Sequence, residues 1–275
     1  MGHDEYSLSP TASIVFCPRE IKNLYQKNKL ESLFRGLQNP EHIAFLRIKG
    51  EGYLYPSSEV RLYRDLNDRA RLIIELLHIQ KVIKFSRSRN IQYGITKTKT
   101  ETIKQGFIVN ESAQNEKPVQ YDIPDDMNFY LSNTTQNEGL ILDRSFFSSL
   151  RENYLSGLSR IESGEERILS AALWSFEARI DSSPTSSFIK TCIALEALLG
   201  EDSDRSNLTD KLAIKYSYLL GRNAQERKKI EADFKKIYHL RSKLVHGSLK
   251  NSTPLERSLI KKARILLEFS LIKEL

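Results

Sequence analysis

From residue 143 to its end the chain is punctuated as a run of short helices, and that punctuation constrains the fold more than any other feature. Asp143-Arg-Ser145 can cap a helix reaching about residue 159. Ser163-Gly-Glu-Glu166 has capping-box spacing ahead of a helix that runs to about residue 180. Asp181-Ser-Ser-Pro184 ends it, and Thr185 or Ser186 opens the next, over residues 188–199, closed by Gly200. A polar loop leads to a helix over 208–220 that again ends on a glycine, Gly221. A long basic helix follows over 223–245 and stops near Gly247. Asn251-Ser-Thr-Pro254 sets a capping residue before a first-turn proline. The last helix covers about 255–272, with Leu255, Leu259, Ala263, Leu266 and Leu267 as its apolar stripe. Six helices in about 130 residues, joined by short loops, predict a helical bundle over residues 143–275.

The first 142 residues read as a mixed α/β-rich domain, so the fold class is α+β overall. Short apolar runs at 14–17, 42–48, 106–109, 119–123 and 140–142, and the threonine-rich alternation of 93–100, suggest strands. Helices are expected over 19–37 and over about 57–83, the second from the recurrence of Val60, Leu62, Leu66, Ala70, Ile73, Ile74, Leu77 and Ile79. Residues 110–118, 124–128 and 132–139 read as loops. Arg87, Arg89, Lys97 and Lys99 suit a solvated strand face better than a nucleic-acid face. His78 lies on an apolar helix and reads as structural.

With 275 residues the chain has room for one large or two ordinary domains, and its 28% charged residues suit a soluble protein. A net charge of +7 and a pI near 9.2 fit a polyanionic partner. Cys17 and Cys192 allow one disulfide on paper, but two reduced thiols in a cytoplasmic protein is the preferred reading. The polar N-terminus lacks a signal peptide's apolar core, and no apolar run is long enough to span a bilayer. No Cys/His cluster has zinc-site spacing, so neither metal nor cofactor is expected.

Chemistry concentrates in residues 238–247, Tyr-His-Leu-Arg-Ser-Lys-Leu-Val-His-Gly. Arg241 and His246 stand five positions apart. Imidazole exchanges protons near neutrality, and guanidinium matches phosphate oxygens with a planar fork. On spacing alone, a surface arginine and a capping histidine at a helix end explain the pair better than phosphodiester chemistry does.

Three stretches of this half resemble the HEPN domains, and among them the abortive-infection branch called Apea-like HEPN. Residues 188–199, Phe-Ile-Lys-Thr-Cys-Ile-Ala-Leu-Glu-Ala-Leu-Leu, resemble the family's first core helix with its Leu-Glu-Ala-Leu signature. Residues 208–220 resemble the helix that follows, and residues 238–247 resemble its Tyr-x-x-Arg-Ser-x-x-Val-His-Gly ending. The family motif is Arg, four to six residues, then His, and four intervene between Arg241 and His246. The resemblance covers about residues 160–275. It implies a four-helix bundle with flanking helices, and a site in the cleft between two HEPN domains. The implied activity is metal-independent RNA cleavage, typical of prokaryotic toxins and antiviral defence effectors, with an antitoxin or other defence protein as a possible partner. Some members lack activity and serve as binding modules or scaffolds. Asn, Asp or His often follows the arginine where Ser242 stands here, a departure that puts catalytic potency in question.

The residues can perform such a reaction. RNA carries its own nucleophile, the 2′-hydroxyl. His246 can serve as general base or acid, and Arg241 can bind the scissile phosphate and stabilise its developing charge. Five residues of regular helix is about 500° of turn, which leaves the two side chains roughly 140° apart. Either the helix unwinds near 245–247 or each residue works with one from a second copy, so a homodimer is expected. Between Ala224 and Arg264 twelve Lys and Arg face four acids, a local excess above the whole chain's +7. Lys228, Lys229, Lys235, Lys236 and Lys243 are therefore candidate RNA contacts, against a solvated helix face. Glu196, inside an apolar helix, either orients Arg241 or lies exposed. Tyr238 can pack beneath Arg241, though its first role is core packing. His239 is read as a bystander. Two functions follow. One is an endoribonuclease with residues 1–142 as sensor or regulator. The other is a non-catalytic HEPN module that binds RNA or a nucleotide, or scaffolds a complex.

Overall fold

The helix over residues 59–79 is apolar on every side along its second half, and such a helix must be enclosed. In the computed structural model, Ala70, Leu72, Ile73, Ile74, Leu76, Leu77 and Ile79 are all buried. The model describes residues 5–7, 12–16, 44–49, 59–85, 105–108, 119–136, 152, 165–200, 207–247 and 253–275. The chain divides into two units. One takes Met1–Leu62 and Lys81–Ser149, the other Tyr63–Gln80 and Leu150–Leu275.

In the first unit, β1 (Glu5–Ser7), β2 (Ala12–Phe16) and β3 (Ala44–Ile48) form an antiparallel sheet in that order. Tyr6 stands opposite Ile14, and Val15 opposite Phe45. Strand β4 (Ile83–Phe85) pairs with β7 (Thr134–Gln136), and β5 (Gln105–Ile108) pairs with β6 (Val119–Asp122), both antiparallel. Between β6 and β7 lies a helix, Asp125–Ser132, where the sequence suggested only loop. Pro124 presets its entry, and Asp125 and Asp126 face the positive end of its dipole. It buries Met127 and Tyr130, and Phe85 of β4 stacks on Tyr130 at 4.8 Å. Strands β1, β4 and β7 were likewise not anticipated. The expected helices over 19–37 and, apart from residue 152, over 143–159 lie outside the described residues, as do the strands at 93–100 and 140–142 and Arg87, Arg89, Lys97 and Lys99.

With Glu59–Ile79 as α1 and Asp125–Ser132 as α2, the second unit adds α3 (Glu166–Ile180), α4 (Pro184–Leu199), α5 (Leu208–Leu220), α6 (Ala224–Val245) and α7 (Pro254–Glu274) to α1 from Tyr63 onward. Among the described residues this unit is all helix. It is therefore discontinuous: its core takes a helix from before residue 142. A buried carboxylate ties that helix to its neighbours. Glu75 is wholly buried inside the apolar run of α1, and a buried charge requires partners. Arg179 of α3 donates to Glu75 from Nε at 3.0 Å and from Nη2 at 2.7 Å, and the Ser175 hydroxyl donates at 2.6 Å. Glu268 of α7 takes a further contact from the Arg179 Nη2, at 3.1 Å. Burial, and then the charge of Arg179, push the His78 imidazole down to about 4, so it is neutral in the fold.

Helix ends explain the remaining boundaries. Glu165 is the N-cap of α3 without a side-chain cap bond, so the helix starts later than a Ser163 capping box would start it, and Ser163 itself lies outside the described residues. Pro184 is the first residue of α4, and the Ser183 hydroxyl accepts from the Ser186 N–H, so Ser183 is the cap in place of Thr185 or Ser186. Asn223 caps α6 through Glu226 N–H at 2.9 Å. Thr253 and Glu256 form a full capping box on α7 around Pro254. Leu255 is 71% exposed and does not belong to the apolar face, whereas Leu259, Ala263 and Leu267 are buried. An aromatic ladder joins α5 to α6: Tyr216 stacks on Phe234 at 5.0 Å, and Phe234 on Tyr238 at 4.5 Å.

Candidate active site at the end of α6

Three turns of α6 decide where Arg241 points. Phe234, Ile237, Tyr238 and Leu240 are buried, so this side of α6 faces α4 and α5. Arg241 continues that side at its edge and meets Glu196, which α4 presents from between Leu195 and Leu198. Arg241 Nη2 lies 3.1 Å from one carboxylate oxygen of Glu196 and donates to the other at 3.4 Å. Both side chains are partly exposed, at 32% and 25%. The open question about Glu196 resolves as a pair with Arg241. The contact uses one guanidinium nitrogen, and Nε is enclosed without a hydrogen-bond partner among the described residues. Fork-to-fork pairing would have engaged two nitrogens, and the arginine side chain keeps about a third of its surface exposed.

Tyr238 does both things expected of it. It is 6% exposed, and the Arg241 guanidinium carbon stands 5.8 Å from its ring centroid, near the outer limit of a cation–π contact. Its hydroxyl donates to the Cys192 carbonyl at 3.4 Å. Burial, reinforced by the Glu196 charge, holds that phenol well above its ordinary pKa, so it is a fixed neutral donor. Cys192 is a free, buried thiol, which removes the paper disulfide with Cys17. Burial pushes it up to about 12, so it supplies no thiolate nucleophile near neutral pH.

His246 is the C-cap of α6, with its N–H donating to the Ser242 carbonyl at 3.1 Å. Gly247 follows at φ +68, a left-handed conformation that favours glycine, and donates to the Leu244 carbonyl at 3.2 Å. The helix thus stops in one residue, leaving the imidazole exposed. No hydrogen bond joins it to Arg241 among the described residues. The other two terminal glycines work differently. Gly200 and Gly221 are extended, and a Cβ at either would collide with the carbonyl four residues earlier, Glu196 or Ser217. Gly200 therefore lets α4 end one residue after Leu199, with its N–H donating to the Glu196 carbonyl at 2.7 Å.

The lysines stand elsewhere. Lys228, Lys229, Lys235, Lys236 and Lys243 are exposed, as are Ser242 and His239. Lys229, Lys236 and Lys243 repeat every seven residues as one stripe, with Lys228 and Lys235 beside it. On regular helix this face lies roughly 120–160° around from Arg241. Lys235 is already paired with Asp210 and Glu231, each at 2.9 Å. The structure thus gathers Arg241, Glu196 and Tyr238, sets His246 at the adjacent helix end, and turns the lysines outward. Sequence reading passed over the Glu75–Arg179–Glu268 cluster, although a lone Glu between Ile74 and Leu76 was a legible signal. Among the described residues no three His, Cys, Asp or Glu side chains gather as potential metal ligands, and no helix is long and apolar enough to cross a membrane.

No family model matches the chain, and no curated protein or solved structure matches it.

Proposed function

We propose that this chain is a metal-independent endoribonuclease of the HEPN type, a cytoplasmic prokaryotic toxin or antiviral defence effector acting as a homodimer. The single observation carrying the reading is Arg241, partly exposed and held at 3.1 Å by Glu196, five residues before an exposed His246. In this reaction Glu196 and Tyr238 aim the guanidinium at the scissile phosphate. His246 moves the proton of the 2′-hydroxyl or of the leaving 5′-oxygen. The exposure of His246 leaves one side of the site open, which a second copy of α6 would close. The first unit, Met1–Leu62 with Lys81–Ser149, then acts as sensor or regulator, and an antitoxin or defence-system protein would restrain the dimer.

The purified chain, incubated with RNA in excess chelator, should yield fragments ending in a cyclic phosphate and a 5′-hydroxyl. Light scattering should give a dimer mass under the same conditions. Cleavage lost in chelator and restored by magnesium contradicts the reading. The second reading, a non-catalytic RNA-binding or scaffolding module, is favoured by one observation: the five lysines lie on the side of α6 away from Arg241. In that case RNA binds through the lysines and stays intact.

A further inference from the structure

A groove of about 560 Å³ runs between the α5–α6 turn, α6 and α7, within the helical unit. Its floor is aliphatic and aromatic: Leu220, Phe234, Ile237 and Leu266 line it. Ile265 and Phe269 of α7 also line it and are 51% and 58% exposed, unusual for large apolar side chains on the last helix of a bundle. Cations stand on both banks. Arg222 and Lys229 come from the α5–α6 side, Lys262 and Lys273 from α7. The lining holds one acid, Asp233, which Lys262 binds across the groove at 2.7 Å. The side chains of Arg222, Lys229 and Lys273 form no ion pair among the described residues, and the Arg222 backbone N–H donates to the Glu226 carboxylate at 2.9 Å.

The geometry points to a docking site for an acidic amphipathic helix of a partner protein. An apolar stripe at helical spacing fills such a groove, and acidic residues flanking that stripe meet cations on either bank. A second copy of this chain is a poor occupant, because it would oppose a basic rim to a basic rim. Single-stranded nucleic acid would match the rim but not the floor. Base stacking needs exposed rings, and of the two phenylalanines lining the groove Phe234 is wholly buried. The inference does not rest on the cleavage reading, since Arg241 and His246 are not part of the groove.

The test uses the full-length chain and two fluorescein-labelled synthetic helices of about 18 residues, a length of about 27 Å. Both carry leucine at helical spacing, one flanked by glutamate and its twin by lysine. Fluorescence anisotropy should show saturable binding of the glutamate helix, with at least about a tenfold preference over the lysine twin. Phe269→Glu should weaken binding at least about tenfold, as loss of a central apolar anchor does. The double variant Lys229→Glu/Lys273→Glu should reverse the preference, and its binding of the lysine twin reports that it is folded. No binding by the parent, equal binding of both helices, or a preference that survives the charge reversal overturns the proposal. So does a loss of oligouridylate binding in Phe269→Glu as large as its loss of the glutamate helix, or a dimer mass that Phe269→Glu converts to monomer.

Discussion

Arg241 meets Glu196 through one guanidinium nitrogen, 3.1 Å and 3.4 Å from the two carboxylate oxygens. Arg179 meets Glu75 through two, at 2.7 and 3.0 Å, and adds Glu268. The second arginine is sealed in the core, while the first is a third exposed. Two arginines of one bundle thus divide between holding helices together and presenting charge.

Replacing Glu196 with Gln should separate positioning from stability. A pair this exposed contributes about 1 kcal/mol or less, so the thermal midpoint should move little. An arginine displaced by an ångström can reduce a rate by about 100-fold, so cleavage should fall by up to that amount. The check is a melting curve beside kcat/KM, with Glu196→Asp restoring part of the rate.

Glu75→Ala should behave in the opposite way. It removes the carboxylate that takes two bonds from the buried Arg179, and breaking a buried pair costs about 3–5 kcal/mol. Urea denaturation should show that loss. Replacing Glu75 and Arg179 together by Leu and Met should recover much of it.

His78 should make stability pH-dependent. Its pKa is about 4 in the fold against 6.5 for the free side chain. Between those values the unfolded chain binds more protons than the folded one, so stability rises with pH through this window and is lost as pH falls from 6.5 to 4. The loss should be on the order of 2–3 kcal/mol. Denaturation midpoints for the parent and for His78→Gln at both ends of the window check it, and the variant should show a flatter profile.

The bundle was legible because helix ends advertise themselves. Asn223, Pro254 and Gly247 stand where the punctuation put them. Boundaries slipped by a residue or two where several small polar residues compete for a cap, as at Ser183, Thr185 and Ser186. The discontinuous core was not legible, because periodicity assigns α1 a type and not a neighbour. Only the pairing of Glu75 with Arg179, 104 residues away, reveals its place. Of the site, Arg241 and Tyr238 follow from the motif, and Glu196 needed α4 and α6 packed together. The lysines illustrate the reverse limit: net charge counts cations without saying which side of a helix carries them.

The lysine stripe should govern affinity without governing rate. Lys229→Ala, Lys236→Ala and Lys243→Ala combined should weaken RNA binding across sequences and flatten the salt dependence by about 0.7 of slope per contact. Lys235→Ala should matter least, because that lysine is already paired with Asp210 and Glu231. Binding isotherms at several salt concentrations distinguish these cases.

The most direct measurement is RNA cleavage by His246→Ala in excess chelator. The imidazole is exposed at a helix end, so circular dichroism should match the parent. A general acid or base contributes about two to four orders of magnitude, and cleavage should fall by that amount with RNA affinity nearly unchanged. A folded His246→Ala that cleaves like the parent would contradict the proposed catalytic role of the Arg241–His246 motif.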